Sequence, residues 1–199
     1  MDALLVHYST DYVFDGSKQA SYSEHDIPNP LNAYGRTKLE GEKAIQASGC
    51  RHLILRTSWV YGPRGKNFLR TMLRLAAEKP EIRVVDDQIG APTSCISIAD
   101  ATARILSQHP QARGLYHLSA AGQVSWHGFA SAILSHAGNT TAVVPIPSSD
   151  YPTPATRPHN SRLDNTAFKR DFGFCLPDWR QSMVECMHQI TVRETGSRT

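Results

Sequence analysis

Several common features are missing from this chain, and each absence excludes a class of protein. No run of about 18 or more apolar residues occurs, so nothing reads as a membrane-spanning helix. The opening stretch from Met1 to His7 has neither a basic n-region nor a long apolar core, so it is not a secretory signal. Cysteine is scarce. The four residues Cys50, Cys95, Cys175 and Cys186 form no C-x-x-C or Cys/His pattern, which points to free thiols in a reducing cytosol rather than to a disulfide or zinc framework. The nine histidines show no H-E-x-x-H or other metal spacing, so no metal is expected. Charge of one sign is also in short supply. The formal net charge is +3 and the basic residues are scattered, which argues against nucleic acid as a partner. A locally basic stretch at Arg51, Arg56, Arg64, Arg70 and Arg74 reads as a solvated helix face, with one or two arginines able to meet a phosphorylated small molecule. Most tellingly, no glycine-rich nucleotide fingerprint is present. Gly62-Pro63-Arg64-Gly65 follows a strand but lacks the required spacing.

What remains is the pattern of an α/β protein without repeats. Ala3 to Tyr8 reads as a buried parallel strand, and Phe14 to Asn32, with Gly16, Pro28 and Pro30, as a long functional loop. Asn32 caps a helix running to Ala47, stopped by Gly49, and His52–Thr57 is the next strand, giving a right-handed parallel crossover. An amphipathic helix spans Asn67 to Lys79, followed by a strand at Ile82–Val85 and a turn-rich loop from Asp87 to Thr93. Ser97 or Ile98 opens a further helix, Gly114–Leu118 is a strand, and Ser125 caps a helix closed by Gly138. Val143–Ile146 reads as an edge-type strand, residues 147–162 as a proline-rich ordered loop or tether, and Asp164 and Asp178 as caps of the last two helices. The tail from Arg193 is polar and reads as frayed.

The chemistry sits near the start. Reducing a ketone requires a hydride donor and a proton donor on the carbonyl oxygen. A free tyrosine phenol is a weak acid near neutrality, and a nearby ammonium favours its ionised form. Residues four apart on a helix share a face, so Tyr34 and Lys38 point the same way. A hydroxyl such as Thr10, at the carboxyl end of the neighbouring strand, can bond the same oxygen, and such strand ends are where open α/β sheets place their sites.

With these residues the chain resembles the extended short-chain dehydrogenase/reductases, and within them the branch that reduces dTDP-4-keto sugars. The resemblance rests on Ser9-Thr10-Asp11-Tyr12-Val13-Phe14-Asp15-Gly16 and on Pro28 to Lys38 with its Tyr34-x-x-x-Lys38. It continues through Leu55-Arg56-Thr57-Ser58-Trp59-Val60-Tyr61, Asn67-Phe68, Asp87 to Thr93, and Arg157-Pro158 with Asn160 to Leu163. It implies an incomplete Rossmann-type parallel sheet with a small α/β substrate lobe. It also implies reduction of dTDP-4-dehydro-6-deoxy-L-mannose to dTDP-L-rhamnose, a cell-surface polysaccharide precursor, with NADPH or NADH. Tyr34 is then the proton donor and Lys38 its partner on the nicotinamide ribose, while Thr10 polarises the ketone. Thr10, Asp11 and Trp59 touch the sugar, and Tyr8 lies by the nicotinamide. Plain core aromatics remain an alternative for Tyr8 and Trp59, and a turn cap for Asp11. Trp59 and the loop from Asp87 to Thr93 are expected to line a pocket facing Tyr34.

The family's glycine-rich first turn has no counterpart here. The whole chain, 1–199, is therefore expected to be the catalytic and substrate-binding portion of a reductase whose N-terminal cofactor half is absent. A soluble, cytoplasmic protein is expected, partnered by a dTDP-sugar and by either a separate N-terminal half or further copies of itself. Two rivals stand beside this reading: a nucleotide-sugar epimerase or dehydratase of the same superfamily, and a non-catalytic remnant or binding subunit. Against a dehydratase, Asp11 is followed by Tyr12 and not by a glutamate.

Overall fold

A computed structural model describes residues 3–196, with side chains to Ile190. In chain order the elements are β1 (Leu5–Thr10), a 3-10 turn (Asp11–Val13), α1 (Ala33–Ala47), β2 (His52–Thr57), β3 (Val60–Tyr61), α2 (Phe68–Glu78), β4 (Glu81–Val85), β5 (Ile89–Gly90) and β6 (Thr93–Ser94). There follow α3 (Cys95–Gln108), β7 (Gly114–His117), β8 (Val124–Ser125), α4 (Trp126–His136), β9 (Ala142–Ile146), α5 (Thr166–Phe172) and α6 (Trp179–Gly196).

The central sheet is parallel, in the order β1-β2-β7, with Thr10 opposite Thr57 at its carboxyl end. Alternation along β2 explains its two faces. Leu53 and Leu55 join Ile98, Ile105, Phe168 and Phe172 in a core against α3 and α5. Arg56, one step out of phase, faces α1 and meets Glu42 there. A second core, built on Leu69, Met72, Phe129, Ile133, Trp179 and Met183, holds α2, α4 and α6 together over β4. That lobe is not one late segment of chain, because α3, β7 and α5 return to the central sheet. A third small core of Val13, Phe14, Tyr22 and Leu163 sits beneath the long loop.

The expected α/β fold with its parallel crossover is present, and the polar caps at Asn32, Asn67 and Ser125 each accept a backbone N–H. Several boundaries move. The first strand extends to Thr10, so Ser9 and Thr10 belong to it. The third long helix starts at Cys95 because Ser94 caps it through the Ile96 N–H. The loop from Asp87 to Thr93 contains β5, paired antiparallel with β8. Asn165 is the residue flanking α5, although the Asp164 carboxylate does take the Thr166 N–H. The last helix continues past Arg193 to Gly196, and residues 197–199 lie outside the described part. Arg56 is no solvated residue: it is 3% exposed and paired with a carboxylate. The four cysteines carry no disulfide.

His117 ends β7 with no solvent exposure. Its Nδ1 lies 3.0 Å from the Tyr22 carbonyl, and its own N–H donates to Glu24. Burial, reinforced by the Arg56 cation, pushes this imidazole down to about 3. Between the ordinary histidine value and that figure the unfolded chain holds the extra proton, so stability falls as pH falls through this window. From pH 7 to pH 5 the loss contributed by His117 alone is about 2 kcal/mol by that linkage, and the buried Asp11 carboxyl, raised to about 6, offsets part of it. Urea denaturation of the chain and of His117→Gln at the two pH values should show it as the difference between their responses, the chain losing about 2 kcal/mol relative to the variant.

Candidate active site

The start of α1 is pressed against the 3-10 turn. A Cβ on Gly35 would lie 2.1 Å from the Tyr12 carbonyl oxygen, so only glycine permits this approach. Asn32 fixes the helix end twice: its Oδ1 accepts the Gly35 N–H at 2.9 Å, and its amide donates to the Thr156 carbonyl at 2.8 Å. Tyr34 therefore emerges beside Tyr12, the two rings meeting edge to face at 6.1 Å. Its ring is half exposed at the mouth of a cleft.

Tyr34, Lys38 and Glu42 follow at four-residue intervals along one face of α1. The Lys38 ammonium donates to the Tyr8 carbonyl and lies 3.4 Å from His7 Nε2. Burial and the Lys38 charge hold His7 below its ordinary value, which suits an accepting ring nitrogen. One turn further, Glu42 takes the Ser9 hydroxyl and a two-pronged contact from Arg56, at 3.0 and 2.6 Å. These bonds set the rotation of α1 against β1 and β2.

The strand end is equally fixed. The Thr10 hydroxyl donates to Asp11 Oδ1 at 2.9 Å and accepts the Tyr12 N–H at 3.1 Å. Ser58 donates to the other carboxylate oxygen of Asp11 at 3.1 Å. Asp11 is 2% exposed, and burial raises it to about 6 despite these hydroxyls and that of Ser161 nearby. Burial and the Asp11 charge likewise push the Tyr12 phenol up to about 12. Trp59 follows Ser58 with φ of 47°, and no other non-glycine residue among those described has a positive φ. That backbone costs roughly 1–3 kcal/mol and is held by its surroundings. The indole stacks on Trp126 with centroids 3.6 Å apart, and Gly90 lies so close beneath it that a Cβ there would fall 2.5 Å from the ring.

Together these residues enclose a cleft of about 560 Å³, lined by Thr10, Asp11, Tyr34, Trp59, Trp126 and Arg157 among others. A neighbouring cavity of about 820 Å³, between α2, β4 and the loop after β9, shares Trp126 and Arg157 with it. Five of the six residues expected from the sequence gather here, Lys38 from just below the cleft. Tyr8 does not. Its ring lies on the opposite face of the sheet, where the phenol bonds Thr102 at 2.8 Å, and only its carbonyl meets Lys38. Nor does the loop from Asp87 to Thr93 line the cleft with Trp59. It supports that ring from behind through Gly90, and Gln88 lines the larger cavity. Trp126 and Arg157 were not foreseen as site residues. The available signals were a bulky aromatic directly after the Ser125 cap, and an arginine inside a proline-rich loop too long for a passive link.

Among the described residues no cluster of three or more His, Cys, Asp or Glu could hold a metal, and no helix is long and apolar enough to cross a membrane. A nicotinamide cofactor does suit the donors present. Lys38 has three N–H groups, two of them directed at Tyr8 and His7, which leaves one for a ribose hydroxyl beside Tyr34.

Residues 1–192 match the family described as the RmlD substrate binding domain. A dTDP-4-dehydrorhamnose reductase from Burkholderia thailandensis is 50% identical over 202 aligned residues, covering 94% of this chain and 68% of the relative. The Salmonella typhimurium enzyme of the same name is 49% identical, covering 97% and 68%. The crystal structure of the Bacillus anthracis dTDP-4-dehydrorhamnose reductase in complex with NADP superposes with a TM-score of 0.90 at 35% identity, covering 94% of this chain and 66% of that one. The chain thus spans about two thirds of the length of the relatives it matches.

Proposed function

Since the chain belongs to the family of the RmlD substrate binding domain, we propose that it carries the catalytic and substrate-binding residues of a dTDP-4-dehydrorhamnose reductase, acting on dTDP-4-dehydro-6-deoxy-L-mannose to give dTDP-L-rhamnose. The observation that carries this reading is the convergence of the Tyr34 phenol and the Thr10 strand end on one cleft, with Lys38 anchored one helical turn below.

NADPH or NADH, when bound, supplies the hydride for C4 of the sugar. Everything else falls to the chain. Tyr34 holds the proton destined for the C4 oxygen, and its half-exposed position lets the substrate reach it. Lys38, fixed by the Tyr8 carbonyl, places a positive charge on the same helix face and offers a donor to the nicotinamide ribose. Trp59, backed by Trp126, gives the sugar a flat apolar wall. The larger cavity takes the nucleotide, and Arg157, shared by both spaces, meets the diphosphate between them. The segments that hold the rest of the cofactor correspond to the third of the relatives' length that this chain does not span, supplied by a separate polypeptide or by a longer form of the protein. Association with further copies of the chain belongs to the same reading.

The test is an assay of the chain mixed with, or joined to, the nucleotide-binding segments of a relative. NADPH oxidation that depends on the dTDP-4-keto sugar, with dTDP-L-rhamnose as product, is expected. Conversion of the sugar without net oxidation of the cofactor would favour an epimerase. For binding, Arg157→Ala should weaken dTDP about ten-fold or more, the scale of a charged hydrogen bond. Thymidine, which has no diphosphate, should be little affected. Quenching of tryptophan fluorescence measures both.

A further inference from the structure

Of the side chains that β1 turns towards α1, one makes a contact that no step of the proposed reduction uses. The strand alternates, so His7 and Ser9 face the helix while the Tyr8 ring faces α3. Ser9 meets Glu42, which is also held by Arg56. His7 meets Lys38, with Nε2 3.4 Å from the ammonium. The half-buried ring sits over a glycine of the helix, and a Cβ on Gly41 would lie 3.9 Å from Nε2.

The chemistry of this contact has one solution. An ammonium carries three protons and no lone pair, so it can only donate. Nε2 must therefore accept, which requires a neutral ring with its proton on Nδ1. A proton on Nε2 would leave two donors facing each other and bring two positive charges to 3.4 Å. The charged groups that bear on the ring are both on α1: the Lys38 ammonium and the Glu42 carboxylate. Ile54, opposite His7 on β2, carries no charge. Burial and the ammonium outweigh the carboxylate and hold the imidazole below its ordinary value.

We propose that His7 is a positioning residue for Lys38: its neutral ring and the Tyr8 carbonyl take two of the ammonium's protons and fix it one turn below Tyr34, and a proton on the ring releases it. The contact belongs to this chain alone, whereas its effect on turnover rests on the reductase reading. Release of Lys38 removes the positive charge from Tyr34 and the donor from the nicotinamide ribose together. Activity is then lost on the acid side without any change in the proton that Tyr34 carries.

The first experiment uses the chain without ligand and follows its imidazoles by nitrogen-15 NMR from pH 8 to pH 4.5, the His7 signals being those that disappear in His7→Gln. A neutral ring protonated at Nδ1 is expected at pH 8, with a titration midpoint below the ordinary histidine value. Lys38→Met should raise that midpoint. A ring protonated at Nε2, or a midpoint that Lys38→Met does not raise, overturns the contact. In the assembled reductase, His7→Leu removes the acceptor and should lower kcat/KM for NADPH about ten-fold or more, the scale of a hydrogen bond to a charged group, with dTDP affinity unchanged. His7→Gln, whose Oε1 accepts in place of Nε2 and takes no proton, should restore most of that loss at pH 8. The ratio of its activity to that of the histidine enzyme should rise as pH falls through the midpoint found by NMR. The Asp11 carboxyl, raised to about 6, is common to both proteins and cancels in this ratio. No loss in His7→Leu, equal losses in the two variants, or a ratio flat with pH overturns the positioning role. An assembled enzyme without reductase activity sinks the functional reading, while the NMR titration still decides the contact.

Discussion

Tyr34→Phe is expected to lower turnover of the assembled reductase by two or more orders of magnitude, the scale of a general acid, while dTDP-sugar binding changes little. The phenylalanine ring keeps the edge-to-face contact with Tyr12 and removes only the oxygen that carries the proton. Among the described residues Tyr34 makes no side-chain hydrogen bond, and its ring is 56% exposed, so stability should also be nearly unaffected. The measurement is single-turnover NADPH oxidation, with dTDP affinity taken from fluorescence on the same preparation. Near-normal turnover with phenylalanine would remove Tyr34 from the role of proton donor. A loss of dTDP affinity matching the loss of rate would make it a binding residue.

The second large effect concerns stability. Glu42 and Arg56 form a side-chain ion pair only 1% and 4% exposed. Breaking such a pair leaves a buried charge without a partner, at a cost of about 3–5 kcal/mol. Glu42→Leu and Arg56→Met should each show that loss in urea denaturation at pH 7. The double variant should recover most of it, because two apolar side chains of similar volume carry no desolvation penalty. Because Glu42 also takes the Ser9 hydroxyl and lies one turn beyond Lys38, the recovered protein should still be impaired as an enzyme. A double variant no more stable than the singles would show that the pair is worth more than the packing that replaces it.

Local chemistry was readable from the sequence, and long-range pairing was not. Asn32 and Ser125 announce their helices because a short polar side chain satisfies an N–H three residues away, a purely local event. The strand at His52–Thr57 and the four-residue spacing of Tyr34 and Lys38 are local in the same sense. The Arg56–Glu42 pair depends on how far α1 rotates over the sheet, so Arg56 reads as one more surface arginine until the crossover is built. Tyr8 was assigned to the nicotinamide by analogy, but the period of two along β1 turns its ring towards α3. Arg157 comes from a loop with no period to read, and Trp126 meets Trp59 across 67 positions of chain, the difference of their numbers. Glycine 90 gave no sign of lying under an indole.

The tight seat of Gly35 bears on how this protein should be mapped by mutation. Position 35 has no reactive atom, yet any side chain there would drive the front of α1 off the Tyr12 carbonyl and swing its neighbour out of the cleft. A saturation screen scored on rhamnose output would rank it with Tyr34 and Lys38, and a screen scored on protein abundance would rank it lower. Only the difference between the two maps separates the residue that does the chemistry from the one that makes room for it.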